Sequence, residues 1–371
     1  MAVFTKSSVS LVLILILAGI SFLENLFRDD EHVMFYNSYA YQDGEEWVVP
    51  MRLYVYEYRP SIQRLVTSLI RRSWDLSDEE TARANMRIQD FVVDSESRET
   101  VLFSFVNDPQ NEIFVLTDEY GEVLRTDLNG VVEGEIRLSE DRMEEITAAQ
   151  NPENGWLKVR AVSPDHTGEG YIKPVSPYGT SVISDVDDTV KITEIPAGAG
   201  IVVRNTFFKE FSPSPGMAEM YQNFGDDVFF HYVSGSPWQL FRTLSGFLFG
   251  DDAGFPKGTF HMKSVTKNFL SLNTWRDLSD LVLNEDVTLD QKVRQITEIF
   301  EHFPHRDFIL IGDSGEADPE VFNLIQYAFP DQVKEIYIHD VVNARELAPE
   351  RLYGMQVIPA PTIERGDSRF E

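Results

Sequence analysis

The chain holds 371 residues, 43% hydrophobic and 12% aromatic, enough for two domains with folded cores. Acidic residues outnumber basic ones 61 to 32, a formal charge of -29, which excludes nucleic-acid binding through a basic surface and favours solubility. No cysteine is present, so a lipidated-cysteine anchor is excluded and an oxidising compartment is suited. At the N-terminus, Lys6 precedes the uncharged apolar run "SSVSLVLILILAGISFL". The run has the length of a secretory h-region and is slightly short of the roughly 20 residues of a membrane span. Residues 1–28 are therefore expected to be a signal peptide or N-terminal membrane anchor. An exported protein is expected: periplasmic, cell-envelope or secreted.

Residues 29–175 read as a mainly-β, sandwich-like domain. "WVVPMRLYVYEY", "ETVLFSFV", "EIFVLTD", "VVEGEIRL" and "WLKVRAV" are β-rich runs separated by the turn signals "NDPQN", "DEYG" and "DLNG". A helical insertion interrupts them, "SIQRLVTSLIRR" followed by "SDEETARANMRIQDF", with Ser77 as an N-cap.

Residues 176–371 change character. The apolar strands "SVISDV", "DVFFHYVSGS", "RDFILIGDS" and "EIYIHDV" alternate with helical stretches, "SPGMAEMYQNF", "PWQLFRTLSGFL", "TLDQKVRQITEIFEHF" and "DPEVFNLIQYAF". This alternation predicts an α/β, doubly wound parallel sheet with its ligand crevice beyond the carboxyl ends of the strands. Asp185, Ser234 and Asp313 each follow one strand and are expected to converge there.

The chemistry of these strand ends suits phosphoryl transfer. In "SDVDDTVK", Asp185 can attack phosphorus as a carboxylate, and Asp187, one tight turn on, can serve as acid and then base. Mg²⁺, which prefers oxygen ligands, would sit between Asp185, the backbone carbonyl of Asp187 and the remote Asp313, with Asp318 direct or through water. The competing reading of "SDVDDTVK" is an Asp-rich surface turn or a calcium loop, although an EF-hand loop would need a Gly and a Glu that are missing. "GDSG" also echoes a serine-protease nucleophile segment, but here it lies between a strand and a helix. Ser234 and Gly235, in "YVSGSPW", suit a phosphate cradle or an ordinary N-cap. Lys292 can pin the nucleophile and the phosphate together, with Lys263 and Lys267 as competitors. Residues 253–276 hold no Asp or Glu; with Lys257, Lys263, Lys267, Arg276 and His261 they offer an approach for an anion.

"SDVDDT", "YVSGS", Lys292 and "GDSGEADPE", in that order, resemble the haloacid-dehalogenase superfamily of aspartate-nucleophile phosphatases. "ISDVDDTVK", "RNTFF", "GMAEMY", "YVSGSPWQL", "FPKGTFHMK" and "FILIGDSGEADPE" are similar to one branch, the Mg²⁺-dependent phosphatidate phosphatases of the fungal actin-patch type. The resemblance covers about residues 175–345 and implies a Rossmann-like, HAD-type sheet with a small cap, since the interval of about 191–227 between the first two motifs is short. It implies Asp185 as nucleophile, Asp187 as general acid/base, Thr189 ordering the loop, Ser234 on the phosphoryl group, Lys292 on the nucleophile, and Mg²⁺ on Asp313 and Asp318. It implies hydrolysis of phosphatidate to diacylglycerol at a membrane surface, a soluble phosphate ester being the alternative substrate. A non-catalytic envelope binding protein is the reading from another class. Export departs from the family pattern, whose fungal enzyme is cytoplasmic.

Overall fold

The computed structural model describes residues 31–250, 253–265 and 285–359. They fall into two compact units. One runs to Ser176 and includes Phe207–Lys209; the other takes Pro177–Thr206, Glu210–Ser264 and the chain from Glu285 on. The apolar N-terminal run, Lys267 and Arg276 lie outside the described residues.

The first unit is mainly β. Its strands are β1 (Glu31–Phe35), β2 (Ser38–Asp43), β3 (Glu46–Tyr58), β4 (Val93–Ser95), β5 (Phe103–Phe105), β6 (Val131–Ser139), β7 (Leu157–Ala161), β8 (His166–Thr167) and β9 (Glu169–Pro174). The hydrogen-bonded order is β5-β7-β9-β2-β3-β1-β8, with β4 and β6 also on β3. The long β3 is the hub, paired antiparallel to β1, β2, β4 and β6. Alternating apolar positions of these strands, among them Val49, Leu53, Phe103, Ile136, Leu157 and Ile172, meet in one buried cluster. The helical insertion consists of α1 (Pro60–Trp74) and α2 (Asp78–Arg87). Ser77 caps α2 as expected. Its Oγ accepts from Glu80 N at 3.2 Å and Glu80 Oε2 accepts from Ser77 N at 2.9 Å, a reciprocal box worth about 1 kcal/mol.

The sequence reading did not name β1, β2, β4, β8 or β9, and two further segments of this unit differ from it. "EIFVLTD" forms only isolated bridges, Phe103 with Phe114 and Thr117 with Val123 and Glu135. "EDRMEEITAAQ" folds as α3 (Glu140–Gln150), with Ser139 Oγ accepting from Arg142 N at 3.3 Å.

The second unit carries a parallel sheet. Its strands are β10 (Gly179–Ser184), β11 (Phe229–Pro237), β12 (Thr259–Lys263), β13 (Arg306–Asp313), β14 (Val333–Asp340) and β15 (Gln356–Pro359). They run in the order β12-β11-β10-β13-β14-β15 and every pairing is parallel. β11 is buried at every position, with parallel neighbours on both sides. The helices are α4 (Ala199–Val203), α5 (Met217–Gln222), α6 (Phe241–Leu248), α7 (Glu285–His302), α8 (Asp318–Ala328) and α9 (Ala344–Leu347). Stacking of Phe300 on Phe308, with centroids 3.9 Å apart, helps fix α7 against β13. β12 and β15 were not read from the sequence.

β10 pairs β11 on one side and β13 on the other, with Ser184 opposite Tyr232 and Ile311. The strand order therefore reverses at β10. Three strands lie side by side there, with Asp185 just past the end of β10, Ser234 inside β11 rather than after it as the sequence suggested, and Asp313 as the last residue of β13.

Candidate active site

The turn after β10 is built to hold its aspartates inside the protein. Asp188 stands at φ 57°, the left-handed region that Asp tolerates better than most residues. Its Oδ1 accepts from Thr193 N at 2.7 Å and Glu194 N at 2.6 Å, and its Oδ2 from Ile195 N at 2.6 Å. Its carbonyl accepts from His339 Nδ1, on β14, at 2.7 Å. Asp188 thus fastens the turn that presents Asp185 and Asp187, a role the sequence left unassigned.

Asp185 and Asp187 face different partners. Lys292, on α7, is buried and lies 2.8 Å from Asp185 Oδ1, 2.6 Å from Asp318 Oδ1 and 3.2 Å from Glu316 Oε2. Lys292 therefore meets the expected nucleophile. Lys263 is buried at the end of β12. Asp187 is held by a set the sequence reading missed. Lys191 Nζ lies 2.8 Å from Asp187 Oδ1, Thr193 Oγ1 donates to the same oxygen at 2.6 Å, and Ser236 Oγ donates to Oδ2 at 3.0 Å. Ser234 Oγ donates to Oδ2 at 3.3 Å. Thr189 is fully buried, and its hydroxyl makes no hydrogen bond.

The loop from β13 into α8 brings the remote acids in. Asp313 Oδ1 accepts from Gly315 N at 2.6 Å and Glu316 N at 3.1 Å, while Asp318 Oδ2 accepts from Asp313 N at 3.1 Å. Gly312 is required by this fold-back, because a Cβ there would stand 2.7 Å from Asp318 Cβ. Gly235 has a similar reason, since its Cβ would meet Thr288 Cγ2, on α7, at 2.9 Å. Asp185, Asp313, Glu316 and Asp318 each present an oxygen within 4.8 Å of the others. The side chain of Asp187 stands outside that group, and Glu316, not singled out from the sequence, stands inside it.

The electrostatics follow from this crowding. Burial pushes Asp185 and Asp313 well above the ordinary carboxylate range; Lys292 opposes this and the neighbouring carboxylates add to it. Burial brings Glu316 up to about 7, against the pull of Lys292. Burial alone would depress Lys292, but Asp185, Asp318 and Glu316 hold it well above its ordinary value. Asp187 goes the other way. Burial works to raise it, and Lys191 with the Thr193 and Ser236 hydroxyls outweighs burial and keeps it below the ordinary range.

Four carboxylates crowd together here, and the Lys292 ammonium touches three of them. Two of their oxygens, Asp185 Oδ2 and Asp313 Oδ2, are buried and accept no hydrogen bond. All the donors are carboxylate oxygens, and a hard divalent cation fits them.

Residues 180–340 match the family model described as the catalytic domain of phosphatidate phosphatase APP1. That segment holds every residue of the site. Over this segment the chain is similar to the APP1-like phosphatidate phosphatase family. It is 34% identical over 179 residues to phosphatidate phosphatase APP1 of Saccharomyces cerevisiae, covering 47% of this chain and 28% of that protein. An uncharacterized protein of Schizosaccharomyces pombe is 28% identical over 216 residues, covering 54% of this chain and 33% of the relative. The chain thus spans about a third of the length of these curated relatives. Among solved structures, a β-glucuronidase of Parabacteroides merdae aligns over 83% of this chain and 40% of its own at 9% identity, with a TM-score of 0.21, too low to carry any argument.

The similarity to the APP1-like family also corrects one expectation. The match to yeast phosphatidate phosphatase APP1 overturns the expected export. Among the described residues no helix is long and apolar enough to cross a membrane.

Proposed function

We propose that the second unit is a HAD-type, doubly wound phosphatase that hydrolyses a phosphate monoester through an aspartyl-phosphate. The proposed substrate is phosphatidate, cleaved to diacylglycerol at a membrane surface. The observation that carries this reading is the buried contact of Lys292 with Asp185 beside the acidic group, inside the segment matching the APP1 catalytic domain. The strand order, reversing at β10, supports the fold assignment. The match to a phosphatidate phosphatase supports the substrate.

In this reading Asp185 is the nucleophile. A carboxylate oxygen attacks phosphorus as the bond from phosphorus to the ester oxygen breaks. Asp187 supplies the proton that leaves with the alcohol. In the second half Asp187 takes a proton from water, the water oxygen bonds to phosphorus, the bond to Asp185 breaks and phosphate departs. Lys191 and the two hydroxyls keep Asp187 ionised at rest, the form needed in the second half. An arriving phosphate dianion that draws the Ser234 hydroxyl to itself would raise Asp187 and equip it for the first. Ser234, Thr189 and Gly235 form the phosphoryl cradle, with Lys263 on the anion's approach.

Asp185, Asp313, Glu316 and Asp318 would hold Mg²⁺, with the Asp187 carbonyl as a further ligand. When bound, the ion would screen the carboxylates and neutralise charge on the phosphoryl oxygens. The first unit is proposed to be a sandwich-like domain over residues 29–175.

Phosphate release from phosphatidate in detergent micelles and from a panel of soluble phosphate esters, with Mg²⁺ or with a chelator, tests this reading. Release from phosphatidate with Mg²⁺ and none with the chelator is expected. Release from soluble esters alone would remove the lipid assignment, and release from none would remove the phosphatase.

A further inference from the structure

The loop that carries the acidic group is gripped from a part of the chain beyond residue 340, where the family match ends. Arg351 lies in the 3-10 turn Pro349–Leu352 that follows α9. One of its terminal nitrogens donates to the Ser314 carbonyl at 2.9 Å, and the other to the Glu316 carbonyl at 2.8 Å. The same guanidinium forms a fork on Glu320, in the first turn of α8, through Nε at 2.6 Å and a terminal nitrogen at 2.9 Å. The Arg351 side chain is 27% exposed, so these bonds are partly shielded from water.

The position of these contacts is informative. Ser314 and Glu316 flank the residue whose amide, with that of Glu316, donates to Asp313 Oδ1. The loop is therefore tied by its amides to Asp313 and by its carbonyls to Arg351. Asp313, Glu316 and Asp318 repel one another, and a loop free to relax would spread them. An arginine can hold two carbonyls and one carboxylate at fixed angles, whereas a lysine supplies a point charge.

We propose that Arg351, anchored by Glu320, is a positioning residue that sets the affinity of the Asp185, Asp313, Glu316 and Asp318 group for a divalent cation. It does so by fixing the backbone of Ser314 and Glu316. The inference rests on the reading that this group holds such a cation.

The test is Mg²⁺ binding to the full chain by titration calorimetry, beside phosphate release as a function of Mg²⁺. Arg351→Gln is expected to weaken Mg²⁺ binding about tenfold, the usual scale for loss of a group that orients metal ligands. Its kcat at saturating Mg²⁺ is expected to stay near the parent value, and Arg351→Lys is expected to resemble Arg351→Gln. A folded Arg351→Gln with unchanged Mg²⁺ affinity overturns the proposal. Full restoration by lysine also overturns it, since charge alone would then suffice. If Arg351→Gln does not fold, Glu320→Gln removes the anchor and is expected to weaken Mg²⁺ binding in the same direction; an unchanged affinity again overturns the proposal. A parent chain that binds Mg²⁺ in a manner sensitive to Arg351 but releases no phosphate would end the phosphatase reading and leave this one standing. A parent chain that binds no divalent cation overturns both.

Discussion

Replacing Lys292 by methionine removes an ammonium in direct contact with Asp185, Glu316 and Asp318, keeping most of the side-chain volume. Both Lys292 and Asp185 are nearly sealed from water, so the loss is not screened by solvent. Deleting one partner of a buried ion pair costs about 3–5 kcal/mol, because the charges left behind stay uncompensated. Without added metal, Lys292→Met should be less stable by about that amount in urea unfolding. Mg²⁺ should stabilise the variant more than the parent, because it supplies positive charge to the same carboxylates. Turnover should fall by a factor on the order of 10²–10³, the scale for losing one electrostatic stabiliser of a transition state. A variant as stable as the parent in chelator, with turnover within a few-fold, would refute the assignment of Lys292 as the counter-charge of the nucleophile.

Other consequences can be measured in the same preparations. Lys191→Met should let burial dominate at Asp187 and shift the acidic limb of the pH–rate profile upward; an unmoved limb would remove Lys191 from the control of Asp187. Buried His231 is held well below its ordinary value of 6.5, first by desolvation and then by the charges of His261, Arg306 and His302. The unfolded chain takes a proton there below pH 6.5 while the folded one does not, so this residue costs stability as the pH falls. His231→Phe should gain on the parent by up to about 1.4 kcal/mol per pH unit below that point, and parallel stability curves would exclude this origin. Gly312→Ala should weaken Mg²⁺ binding, because the new methyl group collides with Asp318; unchanged binding would show that the loop can give way.

The catalytic half was legible because strand-end acids stand out against fully buried strands. "SVISDV" and "FILIGDS" are apolar runs that stop at carboxylates, and parallel order then places Asp185 beside Asp313. Lys292 was readable as a lysine on the helix before that strand, but its contact with Asp185 is seen only in the structure. Glu316 was hidden because a loop acid carries no periodicity, and only the fold-back over Gly312 turns it into the group. Lys191 and Thr193 reach Asp187 through an irregular bridge, Asp187 with Lys191, that no pattern announces. Asp188 came to light through its backbone, since a left-handed residue accepting three amides is a conformational fact before it is a chemical one. β12 was missed because "TFHMK" is short and mixed, and α3 because "EDRMEEITAAQ" presents few apolar residues to a face.

The most direct measurement is the fate of Asp185 during turnover. Acid-quenched protein, digested and analysed by mass spectrometry after brief exposure to phosphatidate and Mg²⁺, should carry phosphate on the peptide containing Asp185. Asp185→Asn should lose both that label and phosphate release while retaining the parent's circular dichroism. Phosphate release by a folded Asp185→Asn at the parent's rate would contradict the proposed nucleophile.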